Sequence, residues 1–137
     1  MREHKGDALL DTGVLRELEE MAGPAGVGFM RRVFGLYLDN APRIRAEMIR
    51  AVEAGEAETL ARAAHALKSM SHNIGARQVA ASAEAIERHA RATGVPVAED
   101  VQTLIGLLDA AMASVQSQMG RQAHGEAVGG ESAAAAG

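Results

Sequence analysis

The feature that most limits the fold of this chain is the spacing of its apolar residues. In the longest stretch, which begins after Pro24 and continues to about Glu53, they recur at three- and four-residue steps. The members of this stripe are Met30, Val33, Tyr37, Ala41, Ile44, Met48 and Val52. Such spacing places apolar side chains on one face of an α-helix of about eight turns. Pro42 lies inside the stretch and removes one backbone hydrogen bond, but the stripe keeps its phase, so we expect a kink rather than a break.

Four shorter stretches have the same helical spacing, and glycine, proline or polar turns separate them. They run from about Thr12 to Met21, from about Glu56 to Ile74, from about Arg77 to Ala92 and from about Glu99 to Met119. We find no strand pattern and no internal repeat. The sequence therefore predicts an all-α fold. Because helices with short connections pack as antiparallel neighbours, the predicted architecture is an up-and-down antiparallel four-helix bundle with a short extra N-terminal helix.

The helical spacing also divides the chain into three parts. Residues 1–11 are predicted to be an N-terminal extension, and residues 12–119 are predicted to form the bundle. Residues 120–137 are rich in Gly, Ala and polar residues without sustained spacing, which predicts a disordered tail. The four long helices bury their own stripes and leave no apolar face over, so we expect a monomer.

Composition excludes several classes of function. The formal net charge of -4 lacks the basic surplus that nucleic-acid binding needs, and the absence of cysteine excludes thiolate chemistry and Cys-based zinc sites. No stretch of about 20 apolar residues would span a membrane, and no signal peptide is recognisable. No phosphate-binding GxxxxGK[ST] loop and no hydrolase signature occur. We therefore expect a cytoplasmic protein that is not an enzyme with its own nucleotide site.

The stretch AHALKSMSHNIGA, residues 64–76, places polar groups on an otherwise apolar helix. At about 100° per residue, the apolar side chains fall opposite His65. They are Leu60, Ala63, Leu67, Met70 and Ile74. A second set lies within about 60° of His65 and consists of Glu58, Ala61, Arg62, Lys68, Ser69 and His72. The spacing therefore predicts that His65 faces water.

Three interpretations of His65 are open on the residues alone. The plainest is a solvated polar face. A metal site is the weakest, because no HExxH occurs and no Glu stands three residues before any histidine, as di-metal bundle sites need. The third is a nucleophile, since a solvent-facing imidazole is largely neutral at cytoplasmic pH and can attack phosphorus. Lys68, at i+3, is within reach of a phosphoryl group on His65, and Arg62 could add a second cation.

The surroundings of His65 favour access by a partner protein. Ala61 and Ser69 are small, and we expect them to line the contact with a partner together with Arg62 and His72. A convex helix surface does not exclude water as an enzyme cleft does. Most of the machinery for phosphoryl transfer, magnesium included, would then have to come from the partner.

The same stretch resembles the signature of histidine-containing phosphotransfer (HPt) domains, which reads roughly H-x-L-K-G-x-S-x-x-x-G-A. The residues in step with it are His65, Leu67, Lys68, Ser71, Gly75 and Ala76. The resemblance extends over roughly residues 12–115, including LYLDNAPRIRAEM and AEAIERHAR. One departure is Ser69, where the family usually has a glycine that leaves room for the aspartyl phosphate of the partner. We expect tighter docking at Ser69 rather than loss of function.

The resemblance implies that His65 is the phosphorylated residue and that Lys68 stabilises the phosphoryl group. The structural members of the motif would be Leu67, Ser71, Gly75 and Ala76. The implied activity is reversible transfer between His65 and receiver-domain aspartates, between a hybrid histidine kinase and a response regulator. The receiver supplies magnesium, and the chain needs no cofactor of its own. The alternative is a helical adaptor that binds a receiver or kinase through the His65 face without phosphorylation, and Ser69 is the feature that favours it.

Overall fold

The computed structural model describes Leu10, residues 12–23 and residues 26–136, and these form five α-helices. The helices are α1 (Thr12–Ala22), α2 (Gly26–Ala54), α3 (Ala57–Asn73), α4 (Arg77–Thr93) and α5 (Ala98–Ala136). The described part of the chain contains no strand. The predicted all-α class is confirmed, and the helix ends agree with the sequence analysis to within a few residues except at the C-terminus.

The four long helices close into a bundle. Each packs against the next along the chain, the contact between α2 and α5 completes the ring, and α1 packs against α2. Because the connections are short, consecutive helices run antiparallel. The predicted up-and-down bundle with a short extra N-terminal helix is therefore confirmed. No helix within the described residues is long and apolar enough to cross a membrane.

The longest predicted helix is continuous. α2 runs through Pro42 without a break, as its unbroken apolar stripe predicts. Pro42 itself is exposed, so its ring meets solvent rather than the core. A single lost backbone hydrogen bond is outweighed here by the apolar side chains that α2 buries on both sides of the proline.

The turn between α3 and α4 fixes how these two helices meet. Gly75 has a φ of 73°, a left-handed conformation that only glycine adopts without strain. The N–H of Ala76 donates to the carbonyl of Ser71 at 2.8 Å, and the N–H of Gly75 donates to that of His72 at 3.1 Å. Carbonyls at the end of α3 are thus satisfied within the turn, and α4 returns directly alongside α3.

The core is aliphatic and rich in alanine, as the low aromatic content requires. Its largest buried side chains are Tyr37, Phe34, Met30, Met48, Leu60, Leu67, Ile74, Leu104 and Leu108. Leu10 is only 3% exposed and belongs to the same cluster, so the predicted start of the bundle at Thr12 is too late. An apolar side chain just before α1 still gains from burial although it lies outside the helix. The remainder of the predicted N-terminal extension, residues 1–9 and 11, lies outside the described residues.

The C-terminal helix continues past its predicted end. The backbone of α5 is helical to Ala136, whereas the sequence analysis ends the helix at Met119 and predicts a disordered tail. Alanine, glutamine and glutamate are strong helix formers, and no proline follows Pro96, so the helix continues although its glycines disfavour it. Among the described side chains, Met119 is the last that packs against the core. The helix therefore continues beyond the predicted boundary at Met119.

A buried hydrogen bond joins α2 to α3. The hydroxyls of Tyr37 and Ser71 are 2.9 Å apart, and both side chains are almost completely buried. Burial raises the pKa of Tyr37 from 10.0 to about 12, although the hydrogen bond to Ser71 opposes this rise. The pair ties the motif serine to the long helix, and its polar atoms satisfy each other inside an apolar core.

Replacing Tyr37 with Phe is expected to lower the free energy of unfolding by about 1–2 kcal/mol, because the Ser71 hydroxyl is left buried without this partner. Urea denaturation of Tyr37→Phe, Ser71→Ala and the double variant tests this. The double variant should lose less than the sum of the single losses, and additive losses would contradict the pairing. Because the folded pKa of Tyr37 lies above its ordinary value of 10.0, protonated Tyr37 contributes fully to the stability of the fold below pH 10. This contribution declines as the pH rises through about 12.

Candidate functional site

His65 lies on the outer face of α3 and is 56% exposed. The opposite face of α3 is buried, as the angular spacing predicts. Its buried members are Leu60, Ala63, Leu67 and Ile74, while Met70 is partly buried. The predicted orientation of His65 toward solvent is therefore confirmed.

One nitrogen of the imidazole is held by a carboxylate from α4. Nδ1 of His65 lies 3.0 Å from Oε2 of Glu87, whose side chain is only 14% exposed. An ionised carboxylate only accepts hydrogen bonds, so Nδ1 carries the proton in this contact. In the neutral ring, the lone pair is then on Nε2, the nitrogen that Glu87 does not contact.

Glu87 also forms ion pairs with two cationic side chains. Nζ of Lys68 lies 3.2 Å from Oε1 of Glu87, and Nε of Arg91 lies 3.3 Å from Oε2. Nη1 of Arg91 extends to Oε2 of Glu58 at 3.6 Å. We call these five residues, His65, Lys68, Glu87, Arg91 and Glu58, the His65 cluster. Two acids and two permanent cations balance in it, so the imidazole lies in a site of no net charge.

The carboxyl of Glu87 stays ionised in this environment. Its partial burial acts to raise its pKa, but the hydrogen bonds from Lys68 and His65, together with their charges, outweigh burial and hold the pKa below the ordinary 4.5. At neutral pH, Glu87 is therefore a carboxylate that orients the ring and neutralises Lys68.

The register of the α3–α4 hairpin brings His65 and Glu87 together. His65 lies eleven residues before Ala76 (76 - 65 = 11), and Glu87 lies eleven after it (87 - 76 = 11). Both helices rise about 1.5 Å per residue from the turn at Gly75, so the two positions reach the same height. Glu87 and Arg91 were not predicted from the sequence, although the equal spacing of His65 and Glu87 about the turn is a signal that could have identified Glu87.

The predicted partner-facing residues do not all share one surface. Arg62, Ser69 and His72 are exposed on α3, as expected. Ala61 is 0% exposed, so its assignment to a partner contact is wrong. It lies on the same side of α3 as Lys68, the side that faces α4. The second cation of the cluster is Arg91 from α4, whereas the sequence analysis considered Arg62.

The motif residues expected to be structural lie inside the bundle. Leu67, Ser71 and Ala76 have no exposed surface, and Gly75 is buried at the turn. Ser71 contributes its side chain to the bond with Tyr37 and its carbonyl to the turn. These buried residues therefore hold α3 in place and do not contact a partner.

An apolar groove lies between α2 and the C-terminal half of α3, on the side of His65 away from Glu87. Its volume is about 410 Å³, and its lining consists of Phe29, Val33, Leu36, Tyr37, Asn40, Met70, Asn73 and Ile74. Leu36 is 56% exposed on its rim. This groove was not predicted from the sequence, because Phe29 and Leu36 fall outside the stripe of α2 that packs into the core.

Metal ligands are not grouped in the described part of the chain. Among these residues, no three His, Cys, Asp or Glu side chains are close enough to hold an ion together. The chemistry that the His65 cluster itself offers is a solvent-exposed imidazole with a fixed proton on Nδ1, beside a lysine and an arginine.

Comparison with known proteins agrees with this geometry. The fold is similar to the crystal structure of histidine-containing phosphotransfer protein B (HptB) from Pseudomonas aeruginosa PAO1, with a TM-score of 0.72 and 21% sequence identity. The match covers 82% of this chain and 96% of the HptB chain. No curated protein sequence matches the chain. The family model of the Hpt domain matches residues 32–124, which include α3, α4 and the whole His65 cluster, and the chain therefore belongs to the Hpt domain family.

Proposed function

We propose that the chain is a phosphorelay intermediate that accepts a phosphoryl group on Nε2 of His65 from a receiver-domain aspartate and passes it to another receiver aspartate. The observation that carries this proposal is the contact of Nδ1 with Glu87 in an otherwise exposed ring. This contact leaves the second nitrogen as the nucleophile, in a ring that is more than half exposed to solvent. Membership of the Hpt domain family supports the same role.

In the proposed transfer, the lone pair of Nε2 attacks the phosphorus of the aspartyl phosphate. The bond from Nε2 to phosphorus forms while the bond from phosphorus to the aspartate oxygen breaks, and the electron pair leaves with the carboxylate. The proton stays on Nδ1, so the ring gains a positive charge, which the carboxylate of Glu87 stabilises at 3.0 Å. Transfer to the next receiver reverses these steps.

Lys68 is proposed to neutralise the phosphoryl group once it is on His65. A phosphoryl group brings up to about two negative charges and three acceptor oxygens. Lys68 lies one turn beyond His65 on α3 and already lies beside the same carboxylate as the imidazole. Its flexible side chain can move from Oε1 of Glu87 to the new charge without a change in the helix.

The partners are proposed to be response-regulator receiver domains and a hybrid histidine kinase, acting on a monomeric chain in the cytoplasm. The receiver would supply magnesium and the acidic pocket for its own aspartate. We place it over Arg62, Ser69 and His72 and over the adjoining apolar groove, because these features share the outer side of α2 and α3 next to His65. The receiver would then cover Leu36, which is exposed on the rim of the groove.

Two labelling reactions test the proposal. Phosphoramidate, a small donor that phosphorylates imidazoles, should give acid-labile, alkali-stable phosphate on the chain. A purified receiver domain charged with acetyl phosphate and magnesium should give the same product, and excess uncharged receiver should remove it. Absence of label after both treatments would contradict the proposal. Binding of the receiver without label would support the alternative adaptor function.

A further inference from the structure

Glu87 holds three groups at once, and they share its two oxygens unequally. Lys68 occupies Oε1 at 3.2 Å, whereas His65 and Arg91 share Oε2 at 3.0 and 3.3 Å. Arg91 belongs to the same helix as Glu87, one turn later, so the distance between them does not depend on α3. Its guanidinium spans two carboxylates, because Nη1 also reaches Glu58.

Phosphorylation of His65 creates a conflict within this cluster. The phosphoryl group attracts Lys68, but Lys68 neutralises a carboxylate that is partly shielded from water. Departure of Lys68 would remove one cation from Glu87 just as the negative phosphoryl group arrives, and the positive charge that the ring gains is shared between Glu87 and that group. A partly desolvated carboxylate becomes less stable when it loses a neighbouring cation, so Glu87 by itself would hold Lys68 back.

We propose that Arg91 is a positioning residue that keeps Glu87 neutralised while Lys68 moves from Glu87 to the phosphoryl group on His65. This inference rests on the proposed function, because it requires phosphorylation of His65. Arg91 is suited to remain in place, since its planar guanidinium contacts Glu87 and Glu58 through different nitrogens. Lys68 is suited to move, since its ammonium is a point charge on a flexible stem.

The lifetime of the phosphohistidine after labelling with phosphoramidate measures this role. The donor is removed, and the remaining phosphate is followed over time in the wild type, Arg91→Gln, Arg91→Lys and Arg88→Gln. Arg91→Gln should shorten the half-life roughly threefold to tenfold, because Lys68 stays with Glu87. Arg91→Lys should restore most of it. Arg88→Gln is the matched control, an exposed arginine of α4 outside the His65 cluster, and should leave the half-life unchanged.

A second background separates this role from a structural one. In Glu87→Gln, the side chain is neutral and needs no cation, so adding Arg91→Gln should have no further effect on the half-life. An equal effect of Arg91→Gln in both backgrounds would overturn the inference, as would equal half-lives for Arg91→Gln and Arg88→Gln. Either result leaves the proposed function intact, because His65 is still labelled. Absence of label on wild-type His65 would overturn both.

Discussion

Replacing His65 with Gln is expected to abolish acid-labile phosphate on the chain while leaving the bundle folded. A glutamine amide is not a nucleophile toward phosphorus, but it has a similar reach and can still donate a hydrogen bond to Glu87. Because His65 is more than half exposed, we expect the free energy of unfolding to change by less than about 1 kcal/mol. Labelling with phosphoramidate and with a charged receiver measures the first effect, and urea denaturation measures the second.

The matched control is His89→Gln. His89 is an exposed histidine on α4 outside the His65 cluster, and it should be irrelevant to phosphoryl transfer. Full label in His89→Gln and none in His65→Gln would assign the phosphate to one imidazole. Label that persists in His65→Gln, or that disappears in His89→Gln, would show that the site has been assigned wrongly.

The orientation of His65 could be predicted from the sequence because it depends on one helix alone. The angle between His65 and Leu67 follows from helix geometry, and the apolar stripe determines which side is buried. The end of α3 was predictable for a similar reason, since Gly75 marks a left-handed turn locally. Features that depend on a single helix or turn are therefore the ones that the sequence predicts well.

The partners of His65 could not be predicted in the same way, because they depend on the contact between two helices. The helical spacing places Glu87 and Arg91 on α4, but it does not show that Glu87 contacts His65 and Lys68 or that Arg91 contacts Glu87. Ala61 shows the same limit. It lies within about 60° of His65 on the helix, but it is fully buried on the side that faces α4. The edge of an exposed face is determined by the neighbouring helix.

Replacing Glu87 with Ala is expected to slow the phosphorylation of His65 about 10- to 100-fold. Carboxylates that fix the tautomer and orientation of metal-bound imidazoles have effects of this size when they are removed, and we expect a similar effect at His65. Ala removes both the hydrogen-bond acceptor for Nδ1 and the negative charge that stabilises the ring during transfer. Glu87→Gln keeps an acceptor but not the charge, so its rate should lie between those of the wild type and Glu87→Ala.

The initial rate of labelling measures this effect, and Glu84→Ala is its matched control. Glu84 is an exposed glutamate of α4 outside the His65 cluster, so its removal should leave the rate unchanged. Equal rates for Glu87→Ala and Glu84→Ala would show that His65 does not need its carboxylate partner.

The pH dependence of stability provides a second measurement on the same variants. Because the folded pKa of Glu87 lies below 4.5, ionised Glu87 stabilises the fold above that pH, and its contribution declines as the pH falls through the folded pKa. The difference in unfolding free energy between the wild type and Glu87→Ala should therefore be constant near neutrality and shrink in acid. A difference that persists unchanged below the folded pKa would mean that Glu87 acts through packing, and not through the charge that we assign to it in phosphoryl transfer.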